Sequence, residues 1–470
     1  MRKNYRSAFF SQEPFVQEIR AWNESYEKET GRKRRFFCFT MGCQMNAHDS
    51  EKIVGMLTEM GYEPTTSEEE ADFVIYNTCC IRENAEQKVY GKLGWLSHLK
   101  RRNPYLIIAL CGCMVQQDSV LEKLKKSYAY VDLVFGTHNL YRLPALLETY
   151  LNTGEPVWDI WQESKEIVED MPSTRGRAFQ ASVNIMYGCN NFCTYCIVPY
   201  VRGRERSRSM ADILEEVRRL AEDGVKEILF LGQNVNSYGK TLTPPVPFAT
   251  LLREAAKIDG IERIRFMTSH PKDLSDELIA AMAETKKVCH YLHLPIQSGS
   301  SRILKAMNRR YTKQQYLDLV DRLRAAIPDI FLSTDIIVGF PGETEEDFEE
   351  TLDVVRRVGY ATAFTFLYSK RTGTPAAVME NQVDEETAHQ RFDRLLAELN
   401  PRIHDLHESL VGQVLDVLVE EESRQGQGMV SGRTEQNTLV HFAAGPESIG
   451  QIVPVRLTQN KTFYFIGERI

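Results

Sequence analysis

Between residues 176 and 375, a strand-like run followed by a helix-like run occurs six times. The predicted strands lie at 183–187, 227–231, 263–269, 288–295, 331–340 and 361–369. Amphipathic stretches follow them, among them 211–222, 275–284, 313–326 and 344–358. This alternation is typical of parallel strands joined by helical crossovers. Six such units predict a partial (β/α)6 barrel, in which the chemistry lies at the carboxyl ends of the strands.

The preceding segment, 36–150, has the same alternation over a shorter length. Short apolar runs at 36–40, 73–77, 106–110 and 131–135 predict buried parallel strands. We therefore predict an open parallel α/β domain over 36–150. Residues 151–175 are polar and acidic and predict a linker, and residues 1–35 are interpreted as an N-terminal extension, by default a flexible arm.

A third segment follows a charged connecting helix predicted within 376–408. Five short strands separated by turn residues predict a small antiparallel β-barrel over 409–470. Barrels of this size often bind nucleic acid, but this one has five basic residues against seven acidic ones. Its charge alone favours a purely structural appendage.

The overall composition excludes some classes of protein. The formal net charge is −8, which argues against indiscriminate nucleic-acid binding but leaves room for a local basic patch. No apolar stretch approaches the roughly 20 residues of a membrane span, and the start of the chain lacks a signal-peptide core. We expect a soluble cytoplasmic protein. In that setting the ten cysteines indicate metal binding or catalysis rather than disulfides.

Three of the cysteines share one short loop after the first barrel strand. This loop trio consists of Cys189, Cys193 and Cys196, in the pattern CxxxCxxC. Three thiolates so spaced can bind three corners of an iron–sulfur cube and leave the fourth iron open. A zinc site is the alternative, but zinc prefers paired cysteines that supply four ligands.

A second group, the N-terminal trio, consists of Cys43, Cys79 and Cys113. Each follows a predicted strand of the first domain, and neighbouring parallel strands end at the same edge of a sheet. We therefore expect the three to meet in space. The alternative is three small buried core residues. Cys80 and Cys111 lie close by in sequence, and Cys111 is expected within the strand end.

These motifs together resemble a known family. The CxxxCxxC loop at the start of a βα barrel is similar to that of the radical S-adenosylmethionine (SAM) enzymes. Four further stretches resemble the methylthiotransferases within that group: Gly42-Cys43-Gln44-Met45-Asn46, Asn77-Thr78-Cys79 with the following Ile81 to Val89, Gly112-Cys113, and Leu231-Gly232-Gln233-Asn234-Val235-Asn236. The resemblance covers nearly the whole chain and identifies the small C-terminal barrel with the TRAM domain.

The resemblance implies two [4Fe-4S] clusters and SAM as cofactors. The loop trio would hold the cluster that cleaves SAM to a 5′-deoxyadenosyl radical, and the N-terminal trio the cluster that carries the sulfur. The implied reaction is methylthiolation of carbon 2 of N6-isopentenyladenosine next to the anticodon in tRNA. An aromatic C–H offers no acidic proton, so acid–base catalysis cannot open it.

The resemblance also implies contacts for SAM and tRNA. Polar residues at strand ends are predicted to bind SAM, namely Gln297, Ser333 and Asp335, with Gly339 and Gly342 letting backbone approach its adenine. A tight strand-to-helix turn is the alternative role of the glycines. A run of arginines after the cluster loop is predicted to hold tRNA phosphates, with at least one left for structural ion pairs: Arg202, Arg204, Arg206 and Arg208.

Two related activities remain as alternatives, namely methylthiolation of threonylcarbamoyl-adenosine in tRNA and of a ribosomal-protein aspartate. A distant alternative is a non-enzymatic RNA-binding protein with structural zinc. The expected partners are tRNA bearing isopentenyladenosine, an electron donor and a sulfur source, with no membrane partner and a monomeric enzyme.

Overall fold

A computed structural model describes residues 8–80, 83–164 and 166–470. It contains two compact units. Unit one comprises the chain up to Gly176 together with Tyr187–Asn190 and Cys196–Arg206, and unit two comprises Arg177–Met186, Asn191–Tyr195 and Ser207–Ile470. No helix in the described ranges is both long and apolar enough to cross a membrane.

Unit one is built on a parallel sheet. In chain order its elements are α1 (Glu13–Thr30), β1 (Arg35–Thr40), α2 (Gln44–Glu59), β2 (Glu63–Pro64), β3 (Phe73–Thr78), α3 (Glu83–Arg102), β4 (Ile107–Gly112), α4 (Asp118–Ser127), β5 (Leu133–Phe135), α5 (Leu143–Thr153) and β6 (Val157–Asp159). The strand order is β2-β1-β3-β4-β5-β6, and every pairing is parallel. The open parallel α/β domain predicted for this segment is confirmed.

Both faces of this sheet are covered by apolar clusters. Along β3, Phe73 and Ile75 belong to one cluster, and Val74 and Tyr76 belong to the other. The alternation follows from the two-residue period of a strand, which sends successive side chains to opposite faces. The buried strand β3 ends with two polar residues, Asn77 and Thr78, and Cys79 follows directly after it.

The sheet and its helices extend beyond the predicted boundaries at both ends. The predicted linker, 151–175, is wrong in its first part, because α5 continues to Thr153 and β6 pairs with β5. The predicted flexible arm, 1–35, is also wrong where the structure describes it. Helix α1 buries Val16 and Ile19 in the same apolar cluster as Leu146 of α5. An amphipathic helix with a buried face packs on the domain rather than remaining free.

The chain continues through β7 (Gln180–Asn184), β8 (Met186–Tyr187), α6 (Val198–Val201), β9 (Arg206–Ser207), α7 (Met210–Glu222), β10 (Glu227–Leu231), α8 (Phe248–Ala256), β11 (Arg263–Phe266), α9 (Asp276–Glu284), β12 (Tyr291–His293), α10 (Ser301–Ala306), α11 (Lys313–Ala326), β13 (Phe331–Val338), α12 (Glu345–Val358) and β14 (Thr362–Leu367). Strands β7, β10 and β11 form one parallel sheet, and β12, β13 and β14 form another. An isolated parallel bridge links Ile264 of β11 to Val288, three residues before β12. The six strands follow one another in chain order, as a partial (β/α)6 barrel requires.

Helix α13 (Glu385–Glu408) leads to the small barrel of β15 (Val414–Glu422), β16 (Met429–Thr434), β17 (Leu439–Ala443), β18 (Ile452–Asn460) and β19 (Phe465–Arg469). The barrel is closed in the order β15-β16-β17-β19-β18. One pairing departs from the predicted antiparallel pattern, since β17 and β19 are parallel. Directions around a closed ring can alternate throughout only when the number of strands is even, so five strands require one parallel pair.

Candidate functional site

The N-terminal trio lies at the carboxyl edge of the unit-one sheet. Cys43 directly precedes α2 in the turn after β1, Cys79 follows β3, and Cys113 follows β4. These three strands are neighbours in the sheet. The structure therefore places the predicted ligands at one edge.

Two glycines bring these turns into close contact. A side chain on Gly42 would place its Cβ 2.5 Å from the Cβ of Cys79, and one on Gly112 would place it 2.3 Å from the carbonyl oxygen of Thr78. Both glycines have positive φ, 127° and 98°. Only glycine combines this backbone with this lack of bulk. The absence of a side chain at Gly42 thus lets Cys79 lie against the turn that carries Cys43.

Asn46, in the first turn of α2, connects the trio. Its Oδ1 lies 3.4 Å from the Sγ of Cys43 and 3.9 Å from the Sγ of Cys113. Its Nδ2 donates to the carbonyl oxygen of Thr78 at 2.9 Å. The residue is fully buried. Two of the three sulfurs therefore lie within 4 Å of one amide oxygen, and the same amide binds the turn that leads to the third.

Arg202 also enters this site, and its predicted contact with tRNA phosphate is wrong. Its side chain is 4% exposed. Nε donates to the Sγ of Cys113 at 3.2 Å, and an Nη donates to Asn46 at 3.2 Å and to the carboxylate of Asp49 at 2.9 Å. Because three buried groups bind its guanidinium, Arg202 is not accessible to a phosphate.

The charges at this site alter its pKa values. Burial acts to lower the pKa of Arg202, but Cys113 and Asp49 raise it well above its ordinary value. A hydrogen bond from the Cys80 thiol, helped by Arg202, lowers the pKa of Cys113 to about 6 against the effect of burial. A thiol with this pKa is ready to act as a thiolate ligand.

The neighbouring cysteines differ in their surroundings. Cys80 lies in a small apolar cluster with Cys113, Ile197 and Val201. Cys111 is within β4, as predicted, and packs in the sheet core, where burial raises its pKa well above the ordinary value. Cys111 is thus a core residue. Cys80 packs with Cys113 and is the alternative to Cys79 as the ligand from this turn. The motif that follows it begins with Ile81 and Arg82, which lie outside the described residues.

In unit two, the middle of the cluster loop is fixed by the turn after α10. Thr194 N donates to the carbonyl oxygen of Met307 at 3.1 Å, and Asn308 Nδ2 donates to those of Asn191 and Phe192 at 3.0 and 2.9 Å. Cys193 is buried, and Arg309 Nη1 lies 3.8 Å from its Sγ. Sequence reasoning missed Arg309, for which no motif gave a signal. In unit one, Cys189 N donates to the carbonyl oxygen of Gly203 at 3.1 Å.

In the described parts of the chain, no three His, Cys, Asp or Glu side chains converge closely enough to hold one metal ion. An iron–sulfur cube held by three thiolates places each on a different iron, so its ligands lie further apart than those of a single zinc ion. The N-terminal trio, with Cys43 and Cys113 near Asn46 and Cys79 beside Gly42, fits the wider ligand spacing of an iron–sulfur cluster.

At the barrel strands, Ser333 and Asp335 are connected through His293. The Ser333 hydroxyl bonds Tyr291 Oη at 2.7 Å and His293 Nδ1 at 2.9 Å, and His293 Nε2 lies 3.5 Å from Asp335. Ser333 is therefore fully buried and used within the protein, whereas Asp335 is half-buried. Gln297 is buried beside them, and its backbone N donates to the carbonyl oxygen of Asp335 at 2.9 Å. The structure brings Gln297, Ser333 and Asp335 together.

The two predicted glycines differ. A Cβ on Gly339 would lie 2.9 Å from the Cβ of Ala388 in α13, and its backbone N donates to Glu343 at 2.8 Å. Close packing against α13 and a positive φ of 77°, which fits the alternative role of a tight strand-to-helix turn, explain Gly339. A Cβ on Gly342 would meet no atom within 4 Å among the described residues. The space beside Gly342 is compatible with the predicted backbone approach to a ligand.

Asn236 is the last residue of the motif that begins at Leu231, and the sequence predicted no role for it. It follows β10 at the carboxyl end of the barrel strands and is 7% exposed. Both polar atoms of its amide are buried and have no hydrogen-bond partner in the described part of the chain. Buried amides are normally satisfied, so this one fits a site that a ligand completes.

The remaining arginines are distributed unequally. Arg208 is buried, donates to the carbonyl oxygen of Asn184 at 2.6 Å and forms an ion pair with the carboxylate of Glu216 at 2.7 Å, so its predicted phosphate contact is also wrong. Arg206 is half-buried and donates to the carbonyl oxygens of Ser164 and Glu166. Arg204 is exposed. Of the four arginines, Arg204 has the surface position that a phosphate contact needs.

Comparison with known families covers most of the chain. The model of the Radical SAM superfamily matches residues 183–355, that of the "Uncharacterized protein family UPF0004" matches residues 35–136, and that of the TRAM domain matches residues 408–470. The three matches agree with the two α/β regions and the closed barrel.

Individual relatives are similar over almost their whole length. A tRNA-2-methylthio-N(6)-dimethylallyladenosine synthase of Lachnoclostridium phytofermentans is 56% identical over 94% of this chain and 96% of its own. The enzyme of the same name from Clostridioides difficile is 53% identical over 97% of this chain and 96% of its own.

Solved structures are similar in fold alone. The radical S-adenosylmethionine methyltransferase TsrM from Kitasatospora setae, with cobalamin and a [4Fe-4S] cluster bound, has a TM-score of 0.52 at 14% identity, over 85% of this chain and 80% of its own. The same enzyme with tryptophan and a SAM analogue bound has a TM-score of 0.53 at 15% identity, over 74% and 75%.

Proposed function

The chain belongs to the family of tRNA-2-methylthio-N(6)-dimethylallyladenosine synthases, and from this premise we propose that it methylthiolates carbon 2 of N6-isopentenyladenosine next to the anticodon in tRNA, using two [4Fe-4S] clusters. The dimethylallyl and isopentenyl names describe the same substituent. The observation that carries the two-cluster part is the N-terminal trio at one sheet edge, where Cys43 and Cys113 lie within 4 Å of Asn46 and Cys79 lies against Gly42, the residue before Cys43.

The residues divide into two metal sites. Cys189, Cys193 and Cys196 would hold one cluster, and the N-terminal trio would hold the other, each leaving one iron without a protein ligand. When bound, the clusters and SAM supply the reducing electron, the hydrogen-abstracting radical and the inserted sulfur. Asn46 orients the N-terminal trio, and Arg309 supports Cys193.

The barrel's own residues would bind SAM and the target base. We assign SAM to Gln297, Asp335 and the backbone at Gly342, with Ser333 supporting Asp335 through His293. The unpaired amide of Asn236 would be satisfied by a ligand at the same end of the strands. The target base must leave its stack to enter a barrel interior, and the exclusion of water there protects a reactive intermediate.

The tRNA itself would be bound by Arg204 and the TRAM barrel. The barrel's acidic balance means that it contributes shape and hydrogen bonds more than net charge. An electron donor and a sulfur source complete the reaction. We propose a monomeric enzyme in the cytoplasm, where its tRNA substrate is found.

The test is an anaerobic assay of reconstituted enzyme with SAM, a reductant and isopentenylated tRNA. Mass spectrometry of the digested nucleosides is expected to show 2-methylthio-N6-isopentenyladenosine. No methylthio product is expected in parallel reactions with threonylcarbamoylated tRNA or with ribosomal protein. Product from either of these, and none from isopentenylated tRNA, would replace the proposed substrate with the alternative.

Iron and sulfide analysis tests the cofactors separately. The enzyme should contain about eight irons, four for each cluster. The Cys189→Ala/Cys193→Ala/Cys196→Ala variant should retain about half. Zinc without iron in the parent enzyme would support the RNA-binding alternative. Absence of iron from the triple variant would contradict the proposed second cluster.

A further inference from the structure

We infer that Arg202 is a positioning residue of the N-terminal site: it orients Cys113 and Asn46, and its fixed positive charge raises the reduction potential of the group bound there. The inference rests on the proposed function in one respect, since it requires the N-terminal trio to bind a cluster. It adds a residue that the cysteine motifs do not contain.

The contacts of Arg202 are directed at the ligand set. Its guanidinium donates to the Sγ of Cys113 at 3.2 Å and to the Oδ1 of Asn46 at 3.2 Å. That same Oδ1 lies 3.4 Å from the Sγ of Cys43. Arg202 therefore contacts one predicted ligand directly and reaches a second through one amide. Groups of this kind orient metal ligands and tune the metal.

The segment that carries Arg202 is itself anchored at the site. Arg202 lies six positions after Cys196 in sequence. Ile197 and Val201 pack with Cys80 and Cys113 in one apolar cluster, and the carbonyl oxygen of Val201 accepts a hydrogen bond from Thr137 Oγ1 at 3.0 Å. The segment that follows the last cysteine of the loop trio thus supplies an arginine to the N-terminal trio.

Charge gives this arrangement a measurable consequence. Arginine stays protonated at every accessible pH, and the described side chain that balances it here is Asp49, at 2.9 Å. A cation and a hydrogen bond at a ligating sulfur favour the state with one more electron, since hydrogen bonds and net charge set cluster potentials. Removing Arg202 should lower the potential, and removing the opposing charge of Asp49 should raise it.

The experiment uses the full-length Cys189→Ala/Cys193→Ala/Cys196→Ala variant, in which any cluster must occupy the N-terminal site. Arg202→Gln, Arg202→Lys and Asp49→Asn are added singly. Iron is counted, and the midpoint potential is measured by a redox titration followed by electron paramagnetic resonance. We expect iron within twofold of the parent, a lower potential in Arg202→Gln, partial recovery in Arg202→Lys and a higher potential in Asp49→Asn.

Arg208→Gln is the matched control, because Arg208 is also buried, pairs with the carboxylate of Glu216 and donates to the carbonyl oxygen of Asn184. Its potential should equal that of the parent. Unchanged potentials in Arg202→Gln and Asp49→Asn would overturn the inference. If Arg202→Gln does not fold, the midpoint potential of Asp49→Asn tests the inference: a higher potential supports it, and an unchanged or lower potential overturns it. A parent variant without iron instead contradicts the two-cluster proposal, so the two failures are distinguishable.

Discussion

Gly112 and Gly42 show how single residues shape the cysteine site. Each directly precedes a predicted ligand, has positive φ, and leaves a space that another strand's turn fills. The Gly-Cys pairs were visible in the sequence as parts of motifs. Their physical role was not, because the atoms that come close belong to residues more than thirty positions away.

Gly112→Ala should therefore lose the N-terminal cluster. The added Cβ would lie 2.3 Å from the carbonyl oxygen of Thr78, and the turn before Cys113 must move. We expect bound iron to fall by about half, with the loop-trio cluster retained. Gly154→Ala is the control, since Gly154 also has positive φ but has no described atom within 4 Å of the added Cβ. Equal iron in both variants would contradict this role.

A second prediction at the residue scale concerns which of Cys79 and Cys80 binds the cluster. Cys79→Ser should remove about half of the iron and abolish methylthio product, because Cys79 lies against the turn that carries Cys43. Cys80→Ser should keep both clusters, since Cys80 acts as a hydrogen-bond donor to Cys113. Iron analysis and the tRNA assay distinguish the two. The reverse result would identify Cys80 as the ligand.

At the scale of elements, the start of helix α12 was predictable from a local signal. The acidic first turn after Thr344 predicted the start of α12, and the structure shows a full capping box there. Thr344 N donates to Asp347 Oδ2 at 2.8 Å, and Ser300 Oγ donates to Oδ1 at 2.5 Å. Strand ends were less predictable, as at β11, where three predicted residues fall outside the strand, because tertiary pairing decides where a strand stops.

The pKa of Asp347 gives a pH dependence at this element. Partial burial acts to raise the pKa, but hydrogen bonds from Arg302 and Ser300 lower it to about 2. Because the folded value is depressed, the stabilisation is present above the unfolded pKa of 3.8 and is lost as pH falls toward 2. Asp347→Asn should cost about 2 kcal/mol at pH 7 and much less near pH 2.5.

Hydrogen exchange of the α12 amides, compared between Asp347→Asn and the parent at the same pH, measures this difference. Asp353→Asn serves as a control in the same helix, since the Asp353 side chain is 43% exposed and pairs with Lys313 away from the helix cap. Equal protection of α12 in the parent and Asp347→Asn at pH 7 would contradict the assignment.

At the scale of the whole molecule, the small barrel is attached within unit two through two buried arginines. Arg265 donates to the carbonyl oxygens of Thr434 and Glu435, at 2.7 and 2.8 Å, and to Glu227 at 2.9 Å. Arg263 donates to the carbonyl oxygens of Arg433 and Asp416, at 2.9 and 2.8 Å. The barrel is therefore held to β11 by backbone acceptors that several amino-acid types could supply.

Arg265→Ala should loosen this attachment. It leaves the buried Glu227 without its cationic partner, with the hydrogen bond from Gln180 remaining, at a cost of about 3 kcal/mol. Limited proteolysis between α13 and β15 should become faster, while Arg253→Ala, which removes only surface ion pairs, should match the parent. Unchanged proteolysis in Arg265→Ala would show that other contacts hold the barrel.

The sequence by itself determined the family, the order of the three folded regions and the six cysteines proposed as ligands, because strand periodicity and cysteine spacing are local properties of the chain. The tertiary structure alone decided what the arginines after the cluster loop do. Arg202, Arg204, Arg206 and Arg208 are alternate residues of one basic run, yet one supports a cysteine site, one is exposed and two are held by the protein. Burial and the identity of a charge's partner depend on residues distant in sequence, and no local pattern records them.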